Sequence, residues 1–391
     1  MLIQLRAPRS AEPESPDDLV ADPEALMKEA RRRARRRRAA YALATSAALG
    51  AALALIFGHG GGGESSAGRH SNGGPPRDGL PEAGRVDGTF AVDPRSSVLF
   101  AARGDSLFVV EVGPAPDRSM TVLRMHAARV VQRRQLTLPL AGYLADVSVG
   151  TGGIYAGTSV VRRFTTAPDQ LVRIDANTLE PHARASFPAG IATTEHGRLM
   201  WGSVGDGRVV RLDPRTLAVR AAHRVLPRAA AIGGSAGISK PAFGLGSLWV
   251  LAGNAPRLEL IRLDPVTLAV RSTTRVPTGG ILAQTLNHVA ADSHRVFLVG
   301  EALVRVAASG ELVRRPVLVP GLANAALGRD GLVGLTADTP ALVLVDGHGG
   351  IRARTPLTDA SGQIVASSRN VWFLGAASRT GGIVHAQLLG R

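Results

Sequence analysis

Several residue types that would define a class of function are scarce in, or missing from, this chain of 391 residues. There is no cysteine, which excludes disulfides and Cys-ligated metal sites. Aromatic residues make up 4% of the chain, too few to interleave with a basic patch as nucleic-acid binding requires. Only Lys28 and Lys240 are lysines, so the formal net charge of +15 comes almost entirely from arginine. We therefore expect no nucleic-acid partner.

An arginine cluster near the N terminus runs directly into an uncharged apolar segment, 39–57. The seven arginines are Arg31, Arg32, Arg33, Arg35, Arg36, Arg37 and Arg38. Roughly 20 helical residues cross the ~30 Å core of a bilayer, and basic flanks stay on its cytoplasmic side. We predict one transmembrane helix at 39–57, with the N terminus in the cytoplasm and the C-terminal part outside the plasma membrane. The arginines should also attract anionic lipid headgroups.

The rest of the chain divides by composition. Residues 1–38 form a basic cytoplasmic tail, and 38 residues before the apolar segment are more than a cleaved signal peptide normally has. Residues 58–85 are rich in Gly, Ser and Pro and are predicted to be a flexible tether. Short apolar runs with no helical period then fill residues 86–391, the predicted outer domain. Whether the helix is cleaved or dimerises stays open, as does the oligomeric state.

A short unit recurs in the outer domain at 171–175, 209–213 and 260–264, and each copy ends in Asp. Thr-Leu follows at the same offset every time, and Pro214 and Pro265 come directly after the Asp in two copies. Proline suits the second position of a type I turn, and an Asp side chain accepts hydrogen bonds from the turn backbone. Each unit therefore predicts a strand, a tight turn and the next strand.

A second repeat consists of aromatic strands that end in Gly, and all three tryptophans of the chain lie in it. Successive copies begin 36 to 56 residues apart. Four-stranded propeller blades repeat every ~40–50 residues. The sequence predicts an all-β, seven-bladed β-propeller, with six and eight blades as alternatives, in which the tryptophans pack between blades. Ring closure would place Thr89–Ala102 beside Val371–Leu389.

Candidate chemistry is sparse. Residues 233–237 match the G-x-S-x-G pattern, but Pro241 shortly afterwards argues against the helix that a nucleophile elbow needs. The closest polar clusters are Glu195 with His196 and Asp292 with His294, in loops before aromatic strands. Solvated turns are the simpler interpretation. A propeller can nevertheless gather loops around its central channel, so these four residues are the candidate metal ligands, and no cofactor is predicted.

The strand, Asp-Pro-x-Thr-Leu and strand units over roughly residues 90–390 resemble those of bacterial extracytoplasmic propellers of the YVTN and quinoprotein-like superfamily, which includes virginiamycin B lyase-like members. The resemblance implies the fold and no active site, since these motifs are blade-building turns. One hypothesis is a module that binds a ligand, an envelope protein or a polysaccharide without catalysis. The alternative is a metal-assisted lyase or hydrolase acting at the channel mouth.

Overall fold

Every regular element in the described part of the computed structural model is a β-strand. The structure describes residues 96–113, 119–126, 129–137, 143–159, 168–227, 237–253, 257–277, 286, 288–300, 302–313, 316–319, 321–328, 331–336, 341–346, 350–357, 363–367, 370–375 and 382–387. Across these ranges there is no helix of the length and apolarity that crossing a membrane requires. The predicted tail, transmembrane helix and tether, with the whole arginine cluster, lie outside the described residues.

The strands form seven antiparallel sheets, numbered here in chain order. Sheet 1 has β1 (Ser97–Arg103), β2 (Ser106–Val112), β3 (Met120–His126) and β4 (Arg129–Leu136). Sheet 2 has β5 (Tyr143–Val149), β6 (Ile154–Ser159), β7 (Asp169–Ile174) and β8 (Pro181–Phe187). Sheet 3 has β9 (Ile191–His196), β10 (Leu199–Val204), β11 (Arg208–Leu212) and β12 (Val219–Arg224).

In sheet 4 the first strand is broken in two, because β13 and β14 pair with the same edge of β15. Sheet 4 has β13 (Gly237–Ile238), β14 (Ala242–Gly244), β15 (Ser247–Gly253), β16 (Glu259–Leu263) and β17 (Val270–Arg275). Sheet 5 has β18 (His288–Ala291), β19 (Val296–Val299), β20 (Ala302–Val306) and β21 (Val317–Leu318). Sheet 6 has β22 (Leu322–Gly328), β23 (Gly331–Thr336), β24 (Ala341–Val345) and β25 (Ile351–Pro356). Sheet 7 has β26 (Ile364–Ala366), β27 (Asn370–Gly375) and β28 (Gly382–Gln387).

Sequential four-stranded antiparallel sheets of this kind are propeller blades, so the predicted all-β propeller is confirmed. Sheets 1 to 6 have four or five strands each and are complete blades. Sheet 7 has three strands among the described residues. The described part of the chain therefore shows six complete blades, not the seven predicted.

Apolar clusters join each sheet to the next and the last sheet to the first. The three tryptophans are buried in such clusters, as predicted. Trp201 packs against strands of sheet 4, Trp249 against sheet 5, and Trp372 against Phe100 and Leu107 of sheet 1. Large-to-small changes at positions of this kind typically cost ~3–5 kcal/mol. These side chains are a main source of cohesion between the sheets.

In the described residues, the two ends of the domain meet by packing of sheet 7 against sheet 1. Of the segment predicted to close the ring, β1 pairs with β2 inside sheet 1. Sheet 7 contributes Trp372 to the cluster around Phe100, and the Asn370 amide donates to Asp105 at 3.2 Å. The start of the predicted closing segment, residues 89–95, lies outside the described residues.

The recurring Asp residues begin the turns between third and fourth strands, as predicted. In the copy at Asp213, carboxylate Oδ1 accepts the backbone N–H groups of Arg215 and Thr216, both at 3.0 Å. Each of three such turns ends in a buried leucine with left-handed φ: Leu179 at 57°, Leu217 at 62° and Leu268 at 60°. The leucine at the end of each turn therefore packs in the apolar cluster between two neighbouring sheets.

The fourth strands of sheets 1, 2, 3, 4 and 6, hereafter the outer strands, are β4, β8, β12, β17 and β25. They form the exposed edge of each sheet. They contain arginines but no acidic residue. The arginines are Arg129, Arg133, Arg134, Arg184, Arg220, Arg224, Arg271, Arg275, Arg352 and Arg354. The first strands, hereafter the inner strands, are β1, β5, β9, β13 with β14, β18, β22 and β26, and they lie at the opposite edge.

Candidate functional site

A central cavity of about 650 Å³ is lined by residues on or next to the inner strand of every sheet. Cavities of this size are typical of small-molecule sites, and the mouth of a closed ring of sheets is a common place for them. The central cavity is therefore the candidate binding site.

One level of the cavity wall is built from small side chains. Six of the seven lie directly opposite an aromatic second-strand residue, such as Trp201 opposite Thr194 or Phe297 opposite Ala290, and Ala326 lies opposite Val333. Directly opposite residues share one face of a sheet, so a large residue in the second strand leaves room for only a small one beside it. The small residues are Ala101, Ser148, Thr194, Ala242, Ala290, Ala326 and Val365.

An ion pair crosses part of the cavity wall. Lys240 lies in the break between β13 and β14, and its ammonium is 2.7 Å from Oδ1 of Asp146 on β5. The contact joins sheet 4 to sheet 2, past the inner strand of sheet 3. Asp146 also accepts the backbone N–H of Thr193 in that strand at 2.7 Å. One buried carboxylate thus links three consecutive sheets.

The break that positions Lys240 has a local cause. Pro241 follows Lys240 and has no N–H to contribute to the pairing with β15. Ser239 compensates: its N–H donates to the Leu251 carbonyl at 2.8 Å, and its hydroxyl accepts the Leu251 N–H at 2.9 Å. The chain therefore bulges out of the ladder at Lys240, next to the cavity.

Other polar side chains in the wall also bond to neighbouring inner strands. Gln363 pairs with the backbone of Phe100, accepting its N–H at 2.9 Å and donating to its carbonyl at 2.7 Å. The Thr194 hydroxyl donates to the Pro241 carbonyl at 2.6 Å. Inner strands have an edge without a strand partner, and buried backbone groups left unpaired are costly. The polar groups of the wall therefore hold the ring together.

His288 is a half-buried histidine of the wall. Its Nε2 lies 3.3 Å from the Ala325 carbonyl of the next inner strand. Burial lowers the pKa of His288 below its ordinary value of 6.5, and the contact with the Ala325 carbonyl opposes this only partly. The imidazole is therefore neutral at physiological pH and serves as a hydrogen-bonding group of the wall.

The candidate ligands Glu195 and His196 lie at the end of β9 and face different neighbours. Glu195 accepts the Thr151 hydroxyl at 2.5 Å and the Gly152 N–H at 3.0 Å, both from a turn of sheet 2. Burial, together with the nearby Glu195 carboxylate, raises the pKa of Tyr155 well above its ordinary range. His196 is exposed and stacks on Phe243 of sheet 4, with ring centroids 4.4 Å apart.

The other candidates, Asp292 and His294, form the turn between β18 and β19. Asp292 accepts the backbone N–H groups of His294 and Arg295, both at 2.8 Å, and forms an ion pair with the Arg295 guanidinium at 2.6 Å. Burial alone would raise the pKa of Asp292, but the hydrogen bonds from Arg295 and His294 outweigh it and lower that pKa. Asp292 thus has the role of a turn-stabilising carboxylate.

The structure does not bring the four candidate ligands into one cluster. In the ranges that the structure describes, no three His, Asp or Glu side chains are arranged to hold a metal ion. The G-x-S-x-G match lies mostly outside the described residues, and its last residue, Gly237, begins β13. Sequence reasoning missed Asp146 and Lys240 as wall residues. The rarity of lysine in the chain was the one signal that pointed to Lys240.

Comparisons with known proteins support the fold. No protein-family profile matches the chain, and no curated protein matches its sequence. The beta-propeller domain of Myceliophteria thermophila Cps50 (Swd1) is 12% identical, with a TM-score of 0.53 over 78% of this chain and 99% of that chain. The WD40 beta propeller domain of Doa1 is 11% identical, with a TM-score of 0.52 over 77% and 96%. BamB from Moraxella catarrhalis is 13% identical, with a TM-score of 0.47 over 76% and 99%. This chain is therefore similar in fold to β-propellers, without a closer family assignment.

Proposed function

We propose that the chain is a membrane-anchored binding module that holds a ligand or a segment of a protein partner in the central cavity, without catalysing a reaction. The observation that carries this proposal is the composition of the cavity wall. Small side chains line one level, and the polar groups Asp146, Lys240 and Gln363 are occupied by bonds between sheets. Glu195, His196 and His288 also line the cavity, but each is engaged with a neighbouring sheet, by hydrogen bonds, by stacking on Phe243 and by contact with the Ala325 carbonyl, respectively. The proposal therefore rests on a wall that offers shape and surface, with its titratable side chains already in contact with other sheets.

We also propose that sheet 7 is a seventh blade, and that the domain belongs with extracytoplasmic propellers of the YVTN and quinoprotein-like type. The proposed layout retains residues 1–38 as a cytoplasmic tail, 39–57 as the membrane helix, 58–85 as a tether and 86–391 as the outer propeller.

The cavity proposal is tested by filling the cavity. Ala326 lines it, so Ala326→Phe should block an occupant, whereas Ala222→Phe on the exposed outer strand β12 adds the same bulk elsewhere. Partners retained by the full chain in detergent would be quantified by mass spectrometry from envelope extracts. We expect one partner to be lost with Ala326→Phe and kept with Ala222→Phe. Equal retention by both variants would reject the cavity as the binding site.

The enzyme alternative has its own test. The melting temperature of the full chain in detergent would be measured after chelation, then with Ca²⁺, Mg²⁺, Mn²⁺ or Zn²⁺ added singly. A ligand that binds only the folded state stabilises it by ~2.7 kcal/mol at a hundredfold excess over Kd. We expect no shift. A rise with one metal that disappears in Glu195→Gln would support the metal-assisted lyase or hydrolase instead.

Membrane topology is tested at the arginine cluster. Replacing the seven arginines by glutamate should weaken or invert the insertion of the predicted helix, because basic residues determine which flank stays inside. Protease added outside intact cells should digest the outer domain of the natural chain and spare that of the variant. Unchanged digestion of both would contradict the proposed orientation.

A further inference from the structure

We propose a second binding surface, separate from the central cavity: the outer strands form a cationic belt that binds a flexible linear polyanion. The belt consists of the ten arginines of β4, β8, β12, β17 and β25. Because sheets 1 to 4 are consecutive and sheet 6 follows after one gap, the belt extends around more than half of the ring. This inference does not depend on what the cavity binds.

Nine of the ten belt arginines divide into two kinds; the tenth, Arg184, has a contact of its own and is not used in the argument. The first kind pairs with the Asp of the preceding turn: Arg220 lies 2.8 Å from Asp213, and Arg352 lies 3.3 Å from Asp346. Arg271 pairs with Asp264 in the same way. Arg134 is paired with Glu180 of sheet 2 at 2.9 Å. These four guanidinium groups are neutralised within the protein.

The second kind has no such acid. Arg129, Arg133, Arg275 and Arg354 are exposed, and their guanidinium groups form no hydrogen bond or ion pair with the described residues. Arg224 donates to the Asp206 backbone carbonyl at 2.8 Å, which leaves its charge uncompensated. The guanidinium fork is suited to bidentate binding of phosphate and carboxylate oxygens. The surplus charge of the belt is therefore available to an anionic partner.

Protection of the sheet edges does not account for this arrangement. An exposed edge strand is kept from pairing with other chains by charge of either sign. Mixed signs would protect it equally and would also attract each other, whereas charge of one sign adds self-repulsion. Acidic residues are available in the adjoining turns, yet none stands in an outer strand. The single sign indicates a partner as well as protection.

The curvature of the belt selects the kind of partner. A flat membrane touches a ring at one arc, so a bilayer could contact the outer strands of only one or two sheets at a time. A stiff duplex likewise cannot follow the circumference, since its persistence length is ~50 nm. A flexible chain carrying phosphate or carboxylate groups can contact successive outer strands. The occupant is therefore a flexible linear polyanion.

The test uses two variants with the same change in net charge. In the belt variant, Arg129, Arg133, Arg275 and Arg354 are replaced by Gln; in the matched control, Arg134, Arg220, Arg271 and Arg352 are replaced by Gln. Binding of labelled long-chain polyphosphate and of labelled polygalacturonate to the full chain in detergent would be measured by fluorescence anisotropy. The two polymers distinguish a phosphate-based partner from an acidic polysaccharide.

We expect the belt variant to lose about tenfold or more in affinity. The control should lose about threefold or less, because the arginines replaced in the control are already neutralised by acidic partners. The slope of log Kd against log salt should fall by about 3 in the belt variant, as for four lost contacts to a flexible polyanion. Equal losses in the two variants would show an effect of net charge alone and overturn the proposal. Absence of binding to either polymer by the natural chain would also overturn it.

Two further arms keep the result decisive. Arg→Lys replacement at the four belt positions retains charge and exposed stems, so it should fold and give an intermediate affinity. Vesicles of anionic phospholipid and a DNA duplex serve as the flat and the stiff competitor. Tighter binding to either of these than to both flexible polymers, lost in the belt variant, would assign the belt to that partner and reject the flexible polyanion.

Discussion

Inner and outer strands are both edge strands, each paired with a neighbouring strand on one side only. They differ in whether their polar side chains find partners within the protein. Along the inner strands, Asp146, Lys240 and Gln363 form hydrogen bonds or ion pairs with other sheets. Along the outer strands, exposed arginines such as Arg275 have no partner of opposite charge in the described residues. An edge enclosed in a ring must satisfy its backbone groups from within the protein, whereas an edge in water can leave charge for something outside.

The largest expected loss of stability comes from mutating the buried strands between these two edges. Trp201 is fully buried and its indole N–H donates to the Pro265 carbonyl at 2.7 Å. Trp201→Ala should lower the free energy of unfolding by ~3–5 kcal/mol. The matched change at an outer strand is Val219→Ala, at a side chain that is 52% exposed, and it should stay within about 0.5 kcal/mol. Urea unfolding of both variants measures the difference, and comparable losses would refute the distinction between core and edge.

The next effect concerns the ion pair of the cavity wall. Lys240→Met leaves Asp146 without its cation, and Asp146 is only 8% exposed. Breaking a fully buried pair costs ~3–5 kcal/mol, but the Lys240 side chain is 38% exposed, so we expect ~1–3 kcal/mol. Arg220→Met breaks an exposed outer pair and should have a much smaller effect in the same unfolding measurement. A larger loss of unfolding free energy in Arg220→Met than in Lys240→Met would contradict the expected difference between inner and outer ion pairs.

A pH effect of moderate size is expected from His288. Burial lowers its pKa in the folded state, so the unfolded chain binds more protons below the ordinary value of 6.5. The corresponding stability is present above pH 6.5 and is lost as the pH falls below it. His288→Gln should flatten the dependence of melting temperature on pH between about 6.5 and 5, whereas the exposed His294→Gln should retain it. Identical slopes in the two variants would contradict this role of burial.

The smallest effect is local to one outer turn. The Arg220 guanidinium, together with the turn N–H groups, lowers the pKa of Asp213 below its ordinary value. Stability from this carboxylate is present above the unfolded value of 3.8 and is lost as the pH falls through the lower folded value. Arg220→Gln should raise the pKa of Asp213, as followed by NMR titration of its carboxyl carbon. An unchanged titration would mean that the backbone N–H groups alone lower the pKa of Asp213.

Local repeats made most of the fold predictable. The Asp-x-x-Thr-Leu units fixed the turns before outer strands, and the position of the tryptophans indicated packing between sheets. The cavity wall was not predictable in the same way, because Asp146 and Lys240 are separated by 94 residues and meet through a bulge at Pro241. Contacts of that kind depend on how successive sheets pack around the cavity, not on any local pattern.

The candidate metal ligands show how neighbours in sequence can have different neighbours in the fold. Neighbouring residues in a strand project to opposite faces. Glu195 therefore contacts the turn of sheet 2 that contains Gly152, while His196 stacks on Phe243 of sheet 4. A pair that looks like two ligands in the sequence is directed to two different neighbours by the strand itself.

The left-handed leucines have a consequence for the routes by which this sequence can change. A left-handed conformation costs a leucine ~1–2 kcal/mol, which glycine would avoid. Removing the buried side chains of Leu179, Leu217 or Leu268 would open a cavity at a cost of ~2–5 kcal/mol. A single step to glycine therefore lowers stability even though it relieves the backbone. A change to glycine would therefore need a second, simultaneous change that refills the cavity before stability could rise.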